Sequence, residues 1–282
     1  MPTYRQILRI NEKYALDNGK EPSSVKRLLM HYANLDHTKL INNMNKTMSQ
    51  TRYQQFLRSV DEYIIKNRPV QHITENEYFY GYEFKVNGDV MIPRFETEEL
   101  VDYTLEYLEK YFPNHTHINV LDIGTGSGCL AITLAKENSR VIATGTEISD
   151  SALFTAKRNR DKLDADVTFH EGNLIEPVKD QTFDVIISNP PYIPNNEKLE
   201  AVVKDYEPSI ALYGGKDGLD FYRKMIPAIK PLLNKEFLIA FEHASHHNKA
   251  LKKLFKQEFK NIQIFHKKDM QGKDRMTFVK NK

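Results

Sequence analysis

The chain has 282 residues, enough for one large α/β domain and a smaller companion. Forty cationic against 38 anionic side chains leave a net charge of +2, which makes no general case for a polyanion partner, although residues 1–75 carry twelve Lys/Arg against seven Asp/Glu (net +5) and the remainder 28 against 31 (net −3). A single cysteine, Cys129, excludes an internal disulfide framework and fits a reducing compartment, and no apolar run reaches membrane-spanning length, so a soluble, cytoplasmic protein is expected.

Residues 3–67 read as helices, with apolar positions at helical spacing in Ile7, Leu8 and Ile10, then Val25, Leu28 and Leu29, then Phe56, Leu57, Val60, Ile64 and Ile65 before Arg68-Pro69. No catalytic constellation lies there, and residues 1–75 are expected to form a helical recognition domain. Tyr82 to Val86 alternates at period two, Asn87-Gly88 is a hairpin turn signal, and Val90-Met91-Ile92 returns, so a β-hairpin linker is expected within 76–92. Pro93-Arg94-Phe95-Glu96-Thr97-Glu98 leads into an amphipathic helix reaching about Tyr111, with Thr97 as the expected N-cap. From Ile118 onward strands and helices alternate, the pattern of a parallel sheet covered on both faces within a domain of residues 93–282. Strands are expected at 118–123, 140–146, 167–170, 183–188, 236–242, 262–266 and 275–280, and helices at 128–137, 150–163, 217–233 and 246–258.

The first strand of that sheet runs through Asp122-Ile123 into Gly124-Thr125-Gly126-Ser127-Gly128. Alternate glycines let backbone approach a ligand closely at the first strand–helix turn. The spacing is G-x-G-x-G and not the dinucleotide G-x-G-x-x-G, and the Lys-Ser/Thr pair of a phosphate loop is missing. With the carboxylate of Asp122 beside the loop, a cationic, phosphate-free ligand such as S-adenosylmethionine fits better. Glu147 ends the next strand, placed to accept hydrogen bonds from ribose hydroxyls. Asn173 and Leu174 follow the third strand, where a polar group can meet the adenine edge and an apolar one its face.

Asn189-Pro190-Pro191-Tyr192 follows the strand Phe183–Ser188, at the carboxyl end where open α/β sheets place ligands. The prolines carry no N–H, so the turn offers carbonyl acceptors with few competing donors. Asn189 adds a side-chain oxygen and Tyr192 an aromatic face, a combination suited to a planar NH2 group that donates two hydrogen bonds. Cys129 is expected to pack as a small apolar residue away from the target pocket. Glu242-His243-x-x-His246-His247 lacks the H-E-x-x-H order, and no metal site is expected.

With these residues assembled, the chain resembles the release factor glutamine methyltransferases, the PrmC/HemK family of class I S-adenosylmethionine enzymes. The likeness covers nearly the whole chain and includes Glu77 to Phe84, Ile92 to Glu98, the glycine loop, Asn189 to Tyr192, Tyr206-Glu207-Pro208 and Gly214 to Leu219. It implies a Rossmann-like α/β fold with a mostly parallel seven-stranded sheet, a small helical N-terminal domain and a linking β-hairpin. It implies S-adenosylmethionine held by Gly124, Thr125, Gly126, Ser127, Gly128, Glu147, Asn173, Leu174 and Asn189. Asn189, Pro190, Pro191 and Tyr192 would hold the substrate, the glutamine of the Gly-Gly-Gln motif in class 1 peptide chain release factors, with Asn189, Pro190 and Tyr192 catalytic. Phe95 stands where relatives often have proline, Glu147 where they often have aspartate, and Asn173 where an acid is common.

The same NH2-accepting turn could serve adenine, cytosine or guanine in DNA or RNA, or a ribosomal-protein glutamine. The net −3 of the catalytic part disfavours a nucleic-acid substrate. A Rossmann-like binding module without catalysis is disfavoured because glycine loop and acceptor turn are both intact. A monomer is expected.

Overall fold

A computed structural model describes residues 1–282, which divide into two compact units. The first comprises Met1–Asn76 together with Glu200–Tyr206. Its helices are α1 (Tyr4–Asp17), α2 (Pro22–Ala33), α3 (His37–Asn42), α4 (Gln50–Ile64) and α5 (Val70–Thr74). Helix α1 starts on a capping box: the Thr3 hydroxyl accepts from the Gln6 N–H while the Gln6 side chain accepts from the Thr3 N–H. Ile7, Leu8, Val25, Leu28, Leu29, Leu40, Phe56, Val60 and Ile64 form the core. Ile10 and Ile65, expected in the apolar stripes, are exposed. The buried stripe of α1 is Tyr4, Ile7, Leu8, Asn11 and Ala15, and 100° steps place Ile10 about 120° from its centre.

The second unit comprises Glu77–Leu199 and Glu207–Lys282. A two-stranded sheet of β1 (Asn76–Phe79) and β2 (Tyr82–Lys85) turns at Tyr80-Gly81, where both residues have positive φ as a two-residue hairpin turn requires. The hairpin expected around Asn87-Gly88 is therefore displaced. Asn87 makes a local side-chain turn onto the Asp89 N–H, and Val86 and Val90 pack with Ala152 instead of pairing as strands.

Helix α6 (Phe95–Tyr111) precedes β3 (Ile118–Ile123), α7 (Cys129–Glu137), β4 (Val141–Glu147), α8 (Asp150–Leu163), β5 (Val167–Glu171) and β6 (Phe183–Ser188). Then come α9 (Ala201–Tyr206, part of the first unit), α10 (Ser209–Leu212), α11 (Asp220–Ile229), β7 (Leu233–Glu242), α12 (Asn248–Glu258), β8 (Ile262–Lys268) and β9 (Asp274–Asn281). The expected helix over 217–233 begins only at Asp220, and Lys230–Leu232 continues it as a 3-10 turn.

The sheet order is β5-β4-β3-β6-β7-β9-β8, with β9 antiparallel to both neighbours and every other pairing parallel. This is the expected mostly parallel seven-stranded sheet. β3 and β6 are buried almost throughout, which is why they read as continuous apolar runs. The chain leaves β3 toward β4 and β5, then crosses back to β6 on the other side. That reversal puts the carboxyl ends of β3, β4, β5 and β6 around one crevice. No helix is long and apolar enough to cross a membrane.

Candidate active site

A cavity of about 300 Å³ opens at that crevice. Gly124, Thr125, Gly126 and Ser127 line it from the turn after β3, Glu147 from the end of β4, Asn173 and Leu174 from the turn after β5, and Asn189, Pro190 and Pro191 from the turn after β6. Four segments spread over 68 residues thus meet in one space. Gly128 and Tyr192, also expected in the site, are not part of the lining. Gly128 is the left-handed N-cap of α7, and an added Cβ would press on Ile132 and Phe169. Tyr192 turns its ring into the core beneath β6 and β7.

The glycine loop suits close approach of a ligand. Gly124 and Gly126 have φ of +72° and +55°, and a Cβ built on either would meet nothing within 4 Å, so both open onto free space. The Glu147 carboxylate is fixed in advance. Oε2 accepts from the Gly126 N–H at 2.9 Å, while Oε1 accepts from the N–H groups of Ile148 (2.8 Å) and Ser149 (3.0 Å). Leu174 has φ of +50°, a strained setting for a bulky side chain that turns it toward the cavity.

Asp122 does not line this space. It is fully buried under the loop, where its Oδ2 accepts from the Thr125 hydroxyl at 2.5 Å, and burial pushes its pKa up to about 7. Its work is to hold the loop, and it offers no exposed charge to a cationic ligand. Cys129, expected away from the pocket, does line the cavity. Burial raises its pKa to about 12, so it stands there as a neutral thiol and not as a nucleophile.

At the far end of the cavity Asn189 is held by a chain of hydrogen bonds. Its Nδ2 donates to Thr97 Oγ1 at 3.1 Å, the Thr97 hydroxyl donates to Glu242 Oε2 at 2.7 Å, and the Tyr192 hydroxyl donates to Glu242 Oε1 at 3.1 Å. Asn189 Oδ1 is left buried with no partner. A buried acceptor without a donor costs about 1–3 kcal/mol, a penalty that a ligand N–H would remove. Thr97 is not the N-cap of α6; Arg94 is, and Thr97 stands at the third helical position facing Glu242. Glu242, 2 % exposed, ends β7. Burial raises its pKa above the ordinary carboxylate value, against the opposing pull of Thr97, Arg275 and Tyr192.

The turn is braced from behind. Gly214 donates its N–H to the Ile193 carbonyl at 2.8 Å, and a Cβ there would come within 2.5 Å of the Pro191 carbonyl oxygen. A Cβ on Gly218 would collide with the Tyr192 carbonyl oxygen. Glu207 is buried and accepts from the Ile92 N–H at 3.3 Å and from the Arg94 guanidinium, which ties Pro93 and Pro208 to the cavity wall.

The histidines near Glu242 have other employment. His243 bonds the Ala244 carbonyl and the Thr277 hydroxyl, with burial lowering its pKa to about 4, and His247 bonds the Asp217 carbonyl. Sequence reasoning missed Thr97 and Glu242 as parts of the site. Their only signal was that each lies at an element end facing the sheet's carboxyl edge.

A methyltransferase small domain model matches residues 95–206, and a PrmC N-terminal domain model matches residues 14–74. The release factor glutamine methyltransferase of Bacillus cereus is 36% identical over 97% of this chain and 98% of its own length. That of Bacillus subtilis is 36% identical over 98% of this chain and 96% of its own length. A methyltransferase structure from Pyrococcus furiosus shares the fold at a TM-score of 0.53 and 19% identity, covering 82% of this chain and 98% of that one. With nearly its whole length matched at this identity, the chain belongs to the release factor glutamine methyltransferase family.

Proposed function

We propose that this chain transfers the methyl group of S-adenosylmethionine to the side-chain amide nitrogen of the glutamine in the Gly-Gly-Gln motif of peptide chain release factors. The observation that carries this reading is the unpartnered, buried Oδ1 of Asn189, a residue that lines the same cavity as an open glycine cradle.

The residues present fit the cofactor. Gly124 to Ser127 would lie against it, Glu147 would accept from its ribose hydroxyls with lone pairs that the three backbone N–H groups leave free, and Asn173 and Leu174 would meet its adenine. When bound, S-adenosylmethionine supplies an electrophilic methyl group on sulfur.

An amide nitrogen is a poor nucleophile because its lone pair is delocalised into the carbonyl. Asn189 Oδ1 and the Pro190 carbonyl would accept the two N–H bonds of the glutamine, orienting the nitrogen and favouring the positive charge that develops on it. As the nitrogen becomes a secondary amide one proton leaves to solvent, and the remaining N–H stays with an acceptor of the turn. Two acceptors also select the amide over its acid, since a glutamate carboxylate would bring only lone pairs to them. Pro190, Pro191 and Leu174 keep the wall apolar, which strengthens each of these hydrogen bonds. The helical unit, with its basic excess, would help choose the protein substrate.

The test is transfer of labelled methyl from S-adenosylmethionine to purified release factor. Label is expected on the native factor and not on one whose Gly-Gly-Gln glutamine is changed to alanine. Equal labelling of both would overturn the target assignment.

A further inference from the structure

We propose that Glu242, acting through Thr97, is a positioning residue that fixes which end of the Asn189 carboxamide faces the substrate, and so sets the selectivity of this site for an NH2 donor. The inference rests on the glutamine-methylating reading above and adds residues to it.

The two ends of a carboxamide are nearly equal in shape and opposite in hydrogen-bonding sense. A site that must accept from an NH2 group needs the oxygen inward, and a flipped amide would present a donor to a donor. Shape alone cannot enforce the choice. The hydrogen-bond chain can, because both Glu242 oxygens stand as acceptors, Oε2 from Thr97 and Oε1 from Tyr192. Glu242 Oε2 therefore takes the single proton of the Thr97 hydroxyl, 2.7 Å away. With that proton committed, Thr97 Oγ1 can only accept from the side of Asn189, and it is Nδ2 that lies 3.1 Å from it. Oδ1 is then the end left without a partner, on a residue that lines the cavity.

The other oxygen of Glu242 takes the Tyr192 hydroxyl at 3.1 Å, and its backbone carbonyl takes the Tyr222 hydroxyl at 2.5 Å. One buried carboxylate thus ties the first and last residues of the Asn189–Tyr192 turn to β7, one through Thr97 and one directly. Glu242 follows the apolar run Phe237–Phe241 at the end of β7, a buried placement that costs stability unless hydrogen-bond partners satisfy the carboxylate, as Thr97 and Tyr192 do.

Glu242→Gln keeps the shape and removes the polarity. Its NH2 can donate to Thr97 Oγ1, freeing the hydroxyl to donate to Asn189 Oδ1 and favouring the flipped amide. Thr97→Val removes the relay with little change of volume, and Thr97→Ser keeps it.

The experiment measures steady-state methylation of purified release factor and, by calorimetry, S-adenosylmethionine affinity. Glu242→Gln and Thr97→Val should each lower kcat about 10–100-fold, the usual cost of removing a group that orients a functional ligand, with cofactor affinity within about twofold. Thr97→Ser should restore most of the loss. On an Asn189→Ala background, Thr97→Val should cost nothing further, because the group it orients is gone. Wild-type kcat in Thr97→Val, or an undiminished extra loss on the Asn189→Ala background, would overturn the assignment. The Thr97 variants decide the question even if Glu242→Gln fails to fold. Absence of methylation by the unaltered chain would instead refute the underlying activity.

Discussion

Glu147 Oε2 accepts the backbone N–H of Gly126 at 2.9 Å, joining the glycine loop after β3 to the acid at the end of β4. Two N–H groups on Oε1 complete a carboxylate held in place before any ligand arrives. Binding then loses little to ordering that side chain.

The first prediction concerns this pair. Gly126→Val should abolish S-adenosylmethionine binding, because φ of +55° strains a branched residue and its side chain would enter the open cradle. Glu147→Ala should weaken binding by about 1.5–3 kcal/mol, the scale of a hydrogen bond to a charged group. Calorimetry on both variants checks this, and wild-type affinity in both would remove the cofactor assignment.

A second prediction follows from the brace behind the acceptor turn. Gly218 has φ of +76° and sits against the Tyr192 carbonyl. Gly218→Ala should displace the turn, lowering kcat more than tenfold and the melting temperature by several degrees, on the order of 1–3 kcal/mol for strain at a special φ. Calorimetric melting and rate measurements on one preparation test both halves.

Asp122 gives a pH prediction. Its folded pKa, about 7, lies above its ordinary value of 3.8, so the fold holds a proton there that the unfolded chain has released. The stability this group contributes is present at low pH and lost as pH rises through about 7. Between about pH 5.5 and 8.5 the loss should be roughly 2 kcal/mol at 1.36 kcal/mol per pKa unit. Asp122→Asn should shrink the pH-dependent fall in melting temperature. An unchanged fall would place the titration elsewhere.

The proposed role of the helical unit is open to charge reversal. Arg5, Arg9, Lys13 and Lys26 outnumber the single acid, Glu12, in a shallow surface groove whose apolar lining is Leu8, Leu16 and Met44. Arg9→Glu combined with Lys13→Glu and Lys26→Glu should raise KM for whole release factor several-fold at low salt and leave S-adenosylmethionine affinity unchanged. An unaltered KM would remove the case for recognition by this face.

What the sequence revealed depended on how local the cause was. Ile118–Ile123, Phe183–Ser188 and Asp150–Leu163 were legible to the residue, because strands buried on both faces read as apolar runs and a Ser-Asp start announces a helix. Asn87-Gly88 misled: the dipeptide does turn the chain, but Val90 is drawn into contact with Ala152 instead of a partner strand. The short helices α3, α5, α9 and α10, of four to six residues, are too brief for periodicity to show. The loop segments lining the cavity could be read because each follows a recognisable strand. Glu242 and Thr97 could not, since their hydrogen bond spans 145 residues and neither has a local pattern. Thr97 suggested a cap because threonine ahead of an apolar helix often is one.

The most direct test of the central claim is the rate of Asn189→Ala on purified release factor, with the modified residue identified by mass spectrometry. The variant loses the unpartnered Oδ1 and retains the Pro190 carbonyl. Because the interaction strengthens as positive charge grows on nitrogen, the loss should fall on kcat, by about 10²–10³, with substrate KM little changed. Asn189→Asp, which keeps an oxygen but adds charge, should not restore the rate. Methylation of the same glutamine by Asn189→Ala at the wild-type kcat would contradict the account.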